Sequence, residues 1–276
     1  MNVHLRDVFA VGLLAMIVMP AVMAIGRGAA TVLGPGSQRW SDGRFGSPSG
    51  ARLLPWRQGV LGWLTAWVAA QVVAVVVVSA TGHSSPLPIL VLGLSLVGSW
   101  SVYLVAVWAV SNRVGSGNLC ADFGLRFRAS DVAGLPLGAA IQLLLVPAVY
   151  VPLRAAWPVT FDDDRLRQNA TDLVDRAGGI SVVVLAVLVV CGAPVIEEIV
   201  YRGLLQRSVT SGAGALVGLL VTAAIFTIVH FRPVEYPGLA VFALIVGAVA
   251  ARTGRLGPPI AIHVGFNATG LALALW

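Results

Sequence analysis

Long apolar stretches constrain this chain more than any other feature of its sequence. Eight of them are candidates for helices that cross the hydrocarbon core of a bilayer. They are residues 8–25, 59–80, 88–110, 132–153, 180–196, 213–230, 236–251 and 258–275. The sequence therefore predicts an all-α fold, a polytopic membrane helix bundle with about eight transmembrane helices.

The composition agrees with a membrane protein and excludes several other classes. With 58% hydrophobic and 11% charged residues among 276, the chain has too little polar surface to cover a soluble globule. The net charge of +6 comes from arginines, and no basic stripe with interleaved aromatic residues indicates a nucleic-acid partner. Cys120 and Cys191 lack the spacing of a disulfide framework or of a cysteine metal site.

The arginines predict the orientation of the spans. One set of alternating connections contains twelve arginines and the other contains six. Because cytoplasmic loops carry the excess of basic residues, we expect the richer side to be cytoplasmic. The predicted location is the plasma membrane, with multiple passes and with an active site open to the cytoplasm.

Two adjacent carboxylates are the first candidates for chemistry. The chain contains three glutamates, and Glu197 and Glu198 follow directly on an apolar span. An ionisable side chain at membrane depth costs about 2.5–3.5 kcal/mol and by default indicates a functional site. Helical spacing puts Glu198 and Arg202 on one face as an ion pair, and leaves Glu197 about 100° away and freer to react. The alternative is that all three merely cap a span at the cytoplasmic surface.

Two further spans carry histidine. His230 follows Phe226 by one turn, and His263 precedes Asn267 by one turn. A single histidine is usually a packing residue, but three apolar segments with strong hydrogen-bonding groups favour one shared polar site.

Such a site could hydrolyse an amide in two ways. In the first, a buried glutamate takes a proton from water beside an imidazole, and His263 with Asn267 binds the developing oxyanion. In the second, zinc is held by Glu197, His230 and His263 with one position open. The sequence does not separate these two, although HExxH, Walker A and GxSxG motifs are absent from it.

Three short patterns resemble the motifs of the CAAX-protease and bacteriocin-processing family of intramembrane proteases. The sequence has EExxxR at residues 197–202, FxxxH at 226–230 and HxxxN at 263–267. By this resemblance Glu197 would activate water with His230, His263 and Asn267 would form the oxyanion site, and Glu198 with Arg202 would support them. Tyr201 departs from the family, which commonly has Phe there, and a buried hydroxyl needs a partner.

The resemblance implies a membrane endopeptidase that is glutamate-dependent or metal-dependent. Its substrate would be a membrane-associated or lipidated peptide, either a prenylated CAAX protein or a bacteriocin-like peptide. Residues 131–276 would form the catalytic domain, with its motifs in 180–276. Residues 1–130 would supply N-terminal transmembrane helices and a flexible cytoplasmic loop at 33–58, which is rich in Gly, Ser, Pro and Arg.

Two other classes of function use the same residues. A proton- or cation-coupled secondary transporter would place Glu197, Glu198 and His230 near the midplane. A non-catalytic bacteriocin-immunity protein would keep the fold and bind a partner. The missing inverted repeats and the concentration of polar groups in the last third of the chain argue against the transporter.

The predicted spans carry one geometric conflict. They place Glu197 near the cytoplasmic end of one helix and His230 near the opposite end of the next. The conflict disappears if the helix of Glu197 continues through Arg202 towards Gln206 and the next begins after Gly212. Gln71 and Gln142 also lie within spans, where interhelical hydrogen bonds explain such residues.

Overall fold

The computed structural model describes residues 54–83 and 85–276, and all regular structure in these ranges is helical. The predicted span at 8–25 and most of the predicted loop at 33–58 lie outside them. The helices are α1 (Trp56–Thr81), α2 (Ile89–Val114), α3 (Leu119–Phe123), α4 (Ala129–Ala156), α5 (Asp163–Asp175), α6 (Ile180–Ala213), α7 (Ala215–Ile228), α8 (Pro233–Thr253) and α9 (Gly257–Leu275). The all-helical membrane bundle is confirmed.

Six of these helices are long and apolar enough to cross a membrane, namely α1, α2, α4, α6, α8 and α9. Of the seven predicted spans that lie in the described ranges, the remaining one is 213–230. It corresponds to the shorter helix α7, which has 14 residues. At 1.5 Å per residue α7 is about 21 Å long, which is less than the ~30 Å hydrocarbon core. By itself α7 is therefore too short to cross that core, and His230 lies in the turn that follows it.

Helix α6 is longer than the sequence predicted. The predicted span ended at residue 196, whereas α6 runs for 34 residues to Ala213, and α7 begins only at Ala215. Glu197 is therefore about the middle of its helix. This is the arrangement that the geometric conflict required.

Proline is accommodated in the membrane helices by π-helical segments. The π segment Val187–Gly192 precedes Pro194 in α6, and the π segment Ile141–Leu145 precedes Pro147 in α4. A proline has no N–H to donate to the preceding turn, and a wider turn before it relieves the loss and the ring clash. Both helices therefore continue through a residue that would otherwise break them.

The core of the bundle surrounds the C-terminal half of α6. Every residue of its second π segment, Glu198–Gln206, is buried. Large apolar side chains on the outer helices are instead more than half exposed, as expected for surfaces that face lipid; examples are Leu61, Val76, Leu94, Val105, Leu144 and Val151. The apolar core thus includes charged groups at its centre, on α6.

Polar contacts hold the loop between α8 and α9 against α4, α6 and the connector that precedes α4. Leu256 N–H donates to the Gly124 carbonyl at 2.8 Å, and Arg207 donates to the Gly254 carbonyl at 2.7 Å. Asp131 forms an ion pair with Arg255. These contacts fix the start of α9, and with it the position of His263.

Candidate active site

Glu198 and Arg202 form an ion pair in the centre of the bundle. Arg202 Nη1 lies 3.0 Å from Glu198 Oε1, and both side chains are 0% exposed. The guanidinium also lies 4.5 Å from the centre of the Phe226 ring, a cation–π contact. A buried ion pair is stable only when further hydrogen bonds compensate its charges. Glu198 accepts such a hydrogen bond from His263.

His263 is held in one orientation by that hydrogen bond. Its Nδ1 lies 2.9 Å from Glu198 Oε1. Because a carboxylate can only accept, Nδ1 carries the proton and Nε2 faces the other way. Nε2 lies 3.8 Å from Glu197 Oε2. This distance is too long for a direct hydrogen bond, but one water can lie within hydrogen-bond distance of both atoms.

Glu197 differs from its neighbour in exposure. The Glu197 side chain is 27% exposed, whereas that of Glu198 is 0% exposed. The sequence predicted this difference from helical geometry, with Glu198 paired to Arg202 and Glu197 rotated away from it. Glu197 is therefore the carboxylate that a water molecule or a peptide can reach.

His230 enters the site from the end of α7. Its Nδ1 lies 2.6 Å from the Phe226 carbonyl oxygen, and its ring centre is 4.7 Å from that of Phe226. The Phe226 ring also lies near His263, with ring centres 6.1 Å apart. Phe226 thus contacts both imidazoles and the guanidinium of Arg202, which is a structural reason for the phenylalanine in FxxxH.

Asn267 uses its amide to bind α6. Its Nδ2 donates to the Val189 carbonyl oxygen at 2.8 Å, within the π segment Val187–Gly192. One amide proton of Asn267 is thereby engaged, and one is left for a ligand. The structure thus brings Glu197, Glu198, Arg202, Phe226 and His263 together and places His230 against Phe226, while Asn267 contacts the helix backbone.

The turn that carries His230 is held by residues that the sequence did not single out. Tyr150 O–H donates to the Val234 carbonyl at 2.9 Å and accepts from Gly238 N–H at 3.3 Å. Arg232 and Glu235 form an ion pair at 2.6 Å within the turn. The spacing of Arg232 and Glu235, the third glutamate of the chain, is a signal that could have indicated this pair.

A second feature that the sequence analysis missed is the close crossing of α4 and α9. A Cβ atom added at Gly138 would overlap the Ile262 carbonyl, and one added at Gly265 would overlap the backbone of Leu135. Gly134 and Gly138 have the GxxxG spacing that permits such an approach. The crossing lies directly beside His263 and limits how far that residue can move.

The residues suggested as zinc ligands are Glu197, His230 and His263. Within 54–83 and 85–276, no three His, Cys, Asp or Glu side chains are arranged to hold a metal ion, so these three are not gathered as a ligand set in this arrangement. Zinc binding by them stays a prediction. Glu198, which is closest to His263, is already paired with Arg202.

Comparison with known proteins agrees with the three motifs. The family model of the Type II CAAX prenyl endopeptidase Rce1-like proteins matches residues 179–269. This confirms the resemblance and supports a CAAX-type intramembrane protease in general. No curated protein and no solved structure matches the chain. The matched region covers α6, α7, α8 and most of α9, and it leaves out α1 to α5.

Proposed function

We propose that this protein hydrolyses a peptide bond in a membrane-associated peptide by means of a water molecule that Glu197 activates. The observation that carries the proposal is the pairing of an accessible carboxylate with an oriented imidazole. Glu197 Oε2 lies 3.8 Å from Nε2 of His263. Nδ1 of the same ring is fixed by the buried Glu198. A base and a second polar group around one water molecule are the minimum for general-base hydrolysis.

The proposed reaction starts at Glu197. Its carboxylate takes a proton from water while the water oxygen attacks the carbonyl carbon of the scissile amide. The negative charge that develops on the carbonyl oxygen is stabilised by the free amide proton of Asn267 and, when their Nε2 atoms also carry a proton, by His230 and His263. The C–N bond then breaks, and Glu197 returns the proton to the leaving amine. Every proton in this cycle is accounted for without a further reactant.

Glu198 and Arg202 support this chemistry without taking part in it. Glu198 Oε1 accepts hydrogen bonds from both Arg202 and His263, so the charge of Glu198 is compensated and its position is fixed. Polar groups that are held in place before the reaction lower the barrier because they need no reorganisation during it. Glu197 is left as the accessible base.

The proposed substrate enters from the lipid. Glu197 lies about the middle of a 34-residue membrane helix, so a peptide must bring its scissile bond to membrane depth. A prenylated CAAX terminus or an apolar bacteriocin-like peptide partitions into the bilayer by its own hydrophobic groups. The excess of arginines in one set of loops supports an active site that opens to the cytoplasm, in a plasma membrane.

Cleavage by purified protein in lipid nanodiscs tests the proposal. A farnesylated CAAX peptide and an unmodified apolar peptide are incubated with the wild type and with Glu197→Gln, which keeps the shape of the side chain and removes the base. We expect the variant to lose at least about 10²-fold in kcat. Asp164→Asn, which removes an exposed carboxylate on α5, serves as the matched control and should keep wild-type activity.

Three results would contradict the proposal. They are full activity in Glu197→Gln, loss of activity on chelation that zinc restores, and proton-coupled uptake without cleavage. The second result would favour the zinc mechanism, and the third would favour a transporter.

A further inference from the structure

The two ends of the helix bundle differ in how their charges are paired. Among the described residues, the end where α2 connects to α4 and α8 to α9 has seven arginines and two carboxylates, whereas the opposite end has five arginines and six carboxylates. At the opposite end three of the arginines form ion pairs, with Asp162, Asp163 and Glu235. The first end, which we call the basic end, therefore carries the excess of positive charge.

Four arginines of the basic end are exposed and form no ion pair with any described residue. They are Arg113, Arg126, Arg128 and Arg252. Of the other three, Arg207 donates to backbone carbonyls, Arg255 pairs with Asp131, and Arg57 lies over an indole ring. Both carboxylates of this end, Asp122 and Asp131, are buried. The described surface of the basic end therefore offers cations without exposed carboxylates.

Three of these arginines are brought together by the contacts that hold the start of α9. The Arg126 carbonyl accepts a hydrogen bond from the first N–H of α9 at 3.3 Å. The Arg128 N–H donates to Asp131 Oδ2 at 2.9 Å, and the same carboxylate pairs with Arg255. Arg252 lies in the last turn of α8, three residues before Arg255. Arg126, Arg128 and Arg252 thus form one arginine cluster on fixed backbone.

Large apolar side chains are exposed beside the arginine cluster. Phe127, between Arg126 and Arg128, is 63% exposed, and Val132 is 66% exposed. The segment that carries them joins the end of one membrane helix, α2, to the start of another, α4, so it lies at the surface of the bilayer. Cationic and apolar side chains side by side are typical of a segment in the headgroup region, where each kind meets its own environment.

We propose that the arginine cluster binds the phosphate of an anionic phospholipid, with Phe127 among the acyl chains. A guanidinium can donate two parallel hydrogen bonds to a phosphate, and basic segments at a membrane surface are attracted by anionic lipids. The exposed Phe127 and Val132 favour a lipid over a soluble anion, because they gain from contact with acyl chains. A bound lipid would hold the connector and the end of α8 together over the start of α9. The inference does not depend on the proposed function.

Titration of the detergent-purified protein with phosphatidylglycerol, followed by native mass spectrometry, tests the inference. Arg126→Gln/Arg128→Gln should bind this lipid about 30-fold more weakly than the wild type, at about fivefold for each arginine. Arg165→Gln/Arg167→Gln is the matched control, because it has the same spacing and the same change in net charge but lies on α5, at the end with six carboxylates. The control should keep wild-type affinity. Phosphatidylcholine, whose headgroup has no net charge, should bind the wild type and both variants with equal, weaker affinity.

Thermal unfolding gives a second readout. Phosphatidylglycerol should raise the unfolding midpoint of the wild type and of the control, but not that of Arg126→Gln/Arg128→Gln, because a ligand stabilises only the protein that binds it. Arg252→Gln should by itself weaken lipid binding about fivefold, which decides the matter if the double variant does not fold.

Three results would overturn the inference. They are wild-type affinity for phosphatidylglycerol in the variants of the arginine cluster, an equal loss of affinity in the α5 control, and displacement of the lipid by inorganic phosphate. The last result would assign the cluster to a soluble anion. None of these measurements requires cleavage, so they stand whether or not the protein hydrolyses a peptide.

Discussion

The two histidines of the site are held by different parts of the molecule. His263 lies inside α9, is 3% exposed, and is fixed by a carboxylate on α6. His230 follows the end of the short helix α7, in a turn held by Tyr150 and by the Arg232–Glu235 pair. From this difference we expect a rigid side of the site around His263 and a more adjustable side around His230. Substitutions on the rigid side should mainly lower stability, and those at the turn should mainly lower activity.

The largest effect is expected from Arg202→Met on the rigid side. The substitution keeps an apolar stem but leaves Glu198 buried without its cation, which costs about 3–5 kcal/mol. Thermal unfolding in detergent should show a large fall in midpoint, together with loss of cleavage. Arg113→Met, at the exposed end of α2, is the control and should change stability by no more than about 0.5 kcal/mol. Equal midpoints for the two variants would show that the pair does not stabilise the bundle.

A second effect on the rigid side is expected from Gly138→Val. The new side chain would overlap the Ile262 carbonyl, and overpacking of this kind costs about 1–3 kcal/mol. Because α9 must move away from α4, kcat should fall as well, since His263 moves with the helix. Gly178→Ala is the matched control, as nothing lies within 4 Å of its added Cβ. A tolerated Gly138→Val would mean that the crossing is not tight.

At the turn, Tyr150→Phe should separate activity from stability. It removes the hydrogen bonds of the hydroxyl group to Val234 and Gly238 and so should cost about 1–2 kcal/mol in the free energy of unfolding. If the same amount is added to the reaction barrier, kcat falls about 5- to 30-fold. Tyr236→Phe gives the comparison, because its hydroxyl contacts the Ile228 carbonyl at 3.2 Å in an exposed position, and its effect should be smaller. A larger loss in Tyr236→Phe would contradict the role of Tyr150.

The smallest effect is expected from Arg232→Gln. Its ion pair with Glu235 joins side chains that are 26% and 22% exposed, and such pairs contribute about 1 kcal/mol or less. A double-mutant cycle with Glu235→Gln, measured by unfolding in detergent, isolates the interaction energy of the pair. A coupling of several kcal/mol would show that the turn is as rigid as the surroundings of His263.

Much of this arrangement follows from local sequence pattern. The spans at 59–80, 88–110, 132–153, 236–251 and 258–275 are helices with ends close to the predicted ones, because long apolar stretches in lipid must pair their own backbone groups. The pairing of Glu198 with Arg202 also follows from sequence, since residues at i and i+4 meet on any helix.

Other features depend on contacts between distant residues. The extent of α6 beyond residue 196 was not visible in hydropathy, because Glu197, Glu198 and Arg202 look like the end of a span until their partners are known. The hydrogen bond of Asn267 to Val189 and the Tyr150 contact to the His230 turn join residues 78 and 84 positions apart. The hydrophobic periodicity within one helix gives no information about such pairs.

The sequence by itself determined that this is a membrane protein, where most of its helices lie, and which ionisable and polar side chains could form a site. Only the tertiary structure decided that His263 binds Glu198, where α7 stops, and that Tyr150 holds the turn of His230. The physical reason is that hydropathy and helical periodicity act within one helix. The depth and orientation of a polar group depend on which side chains of other helices surround it.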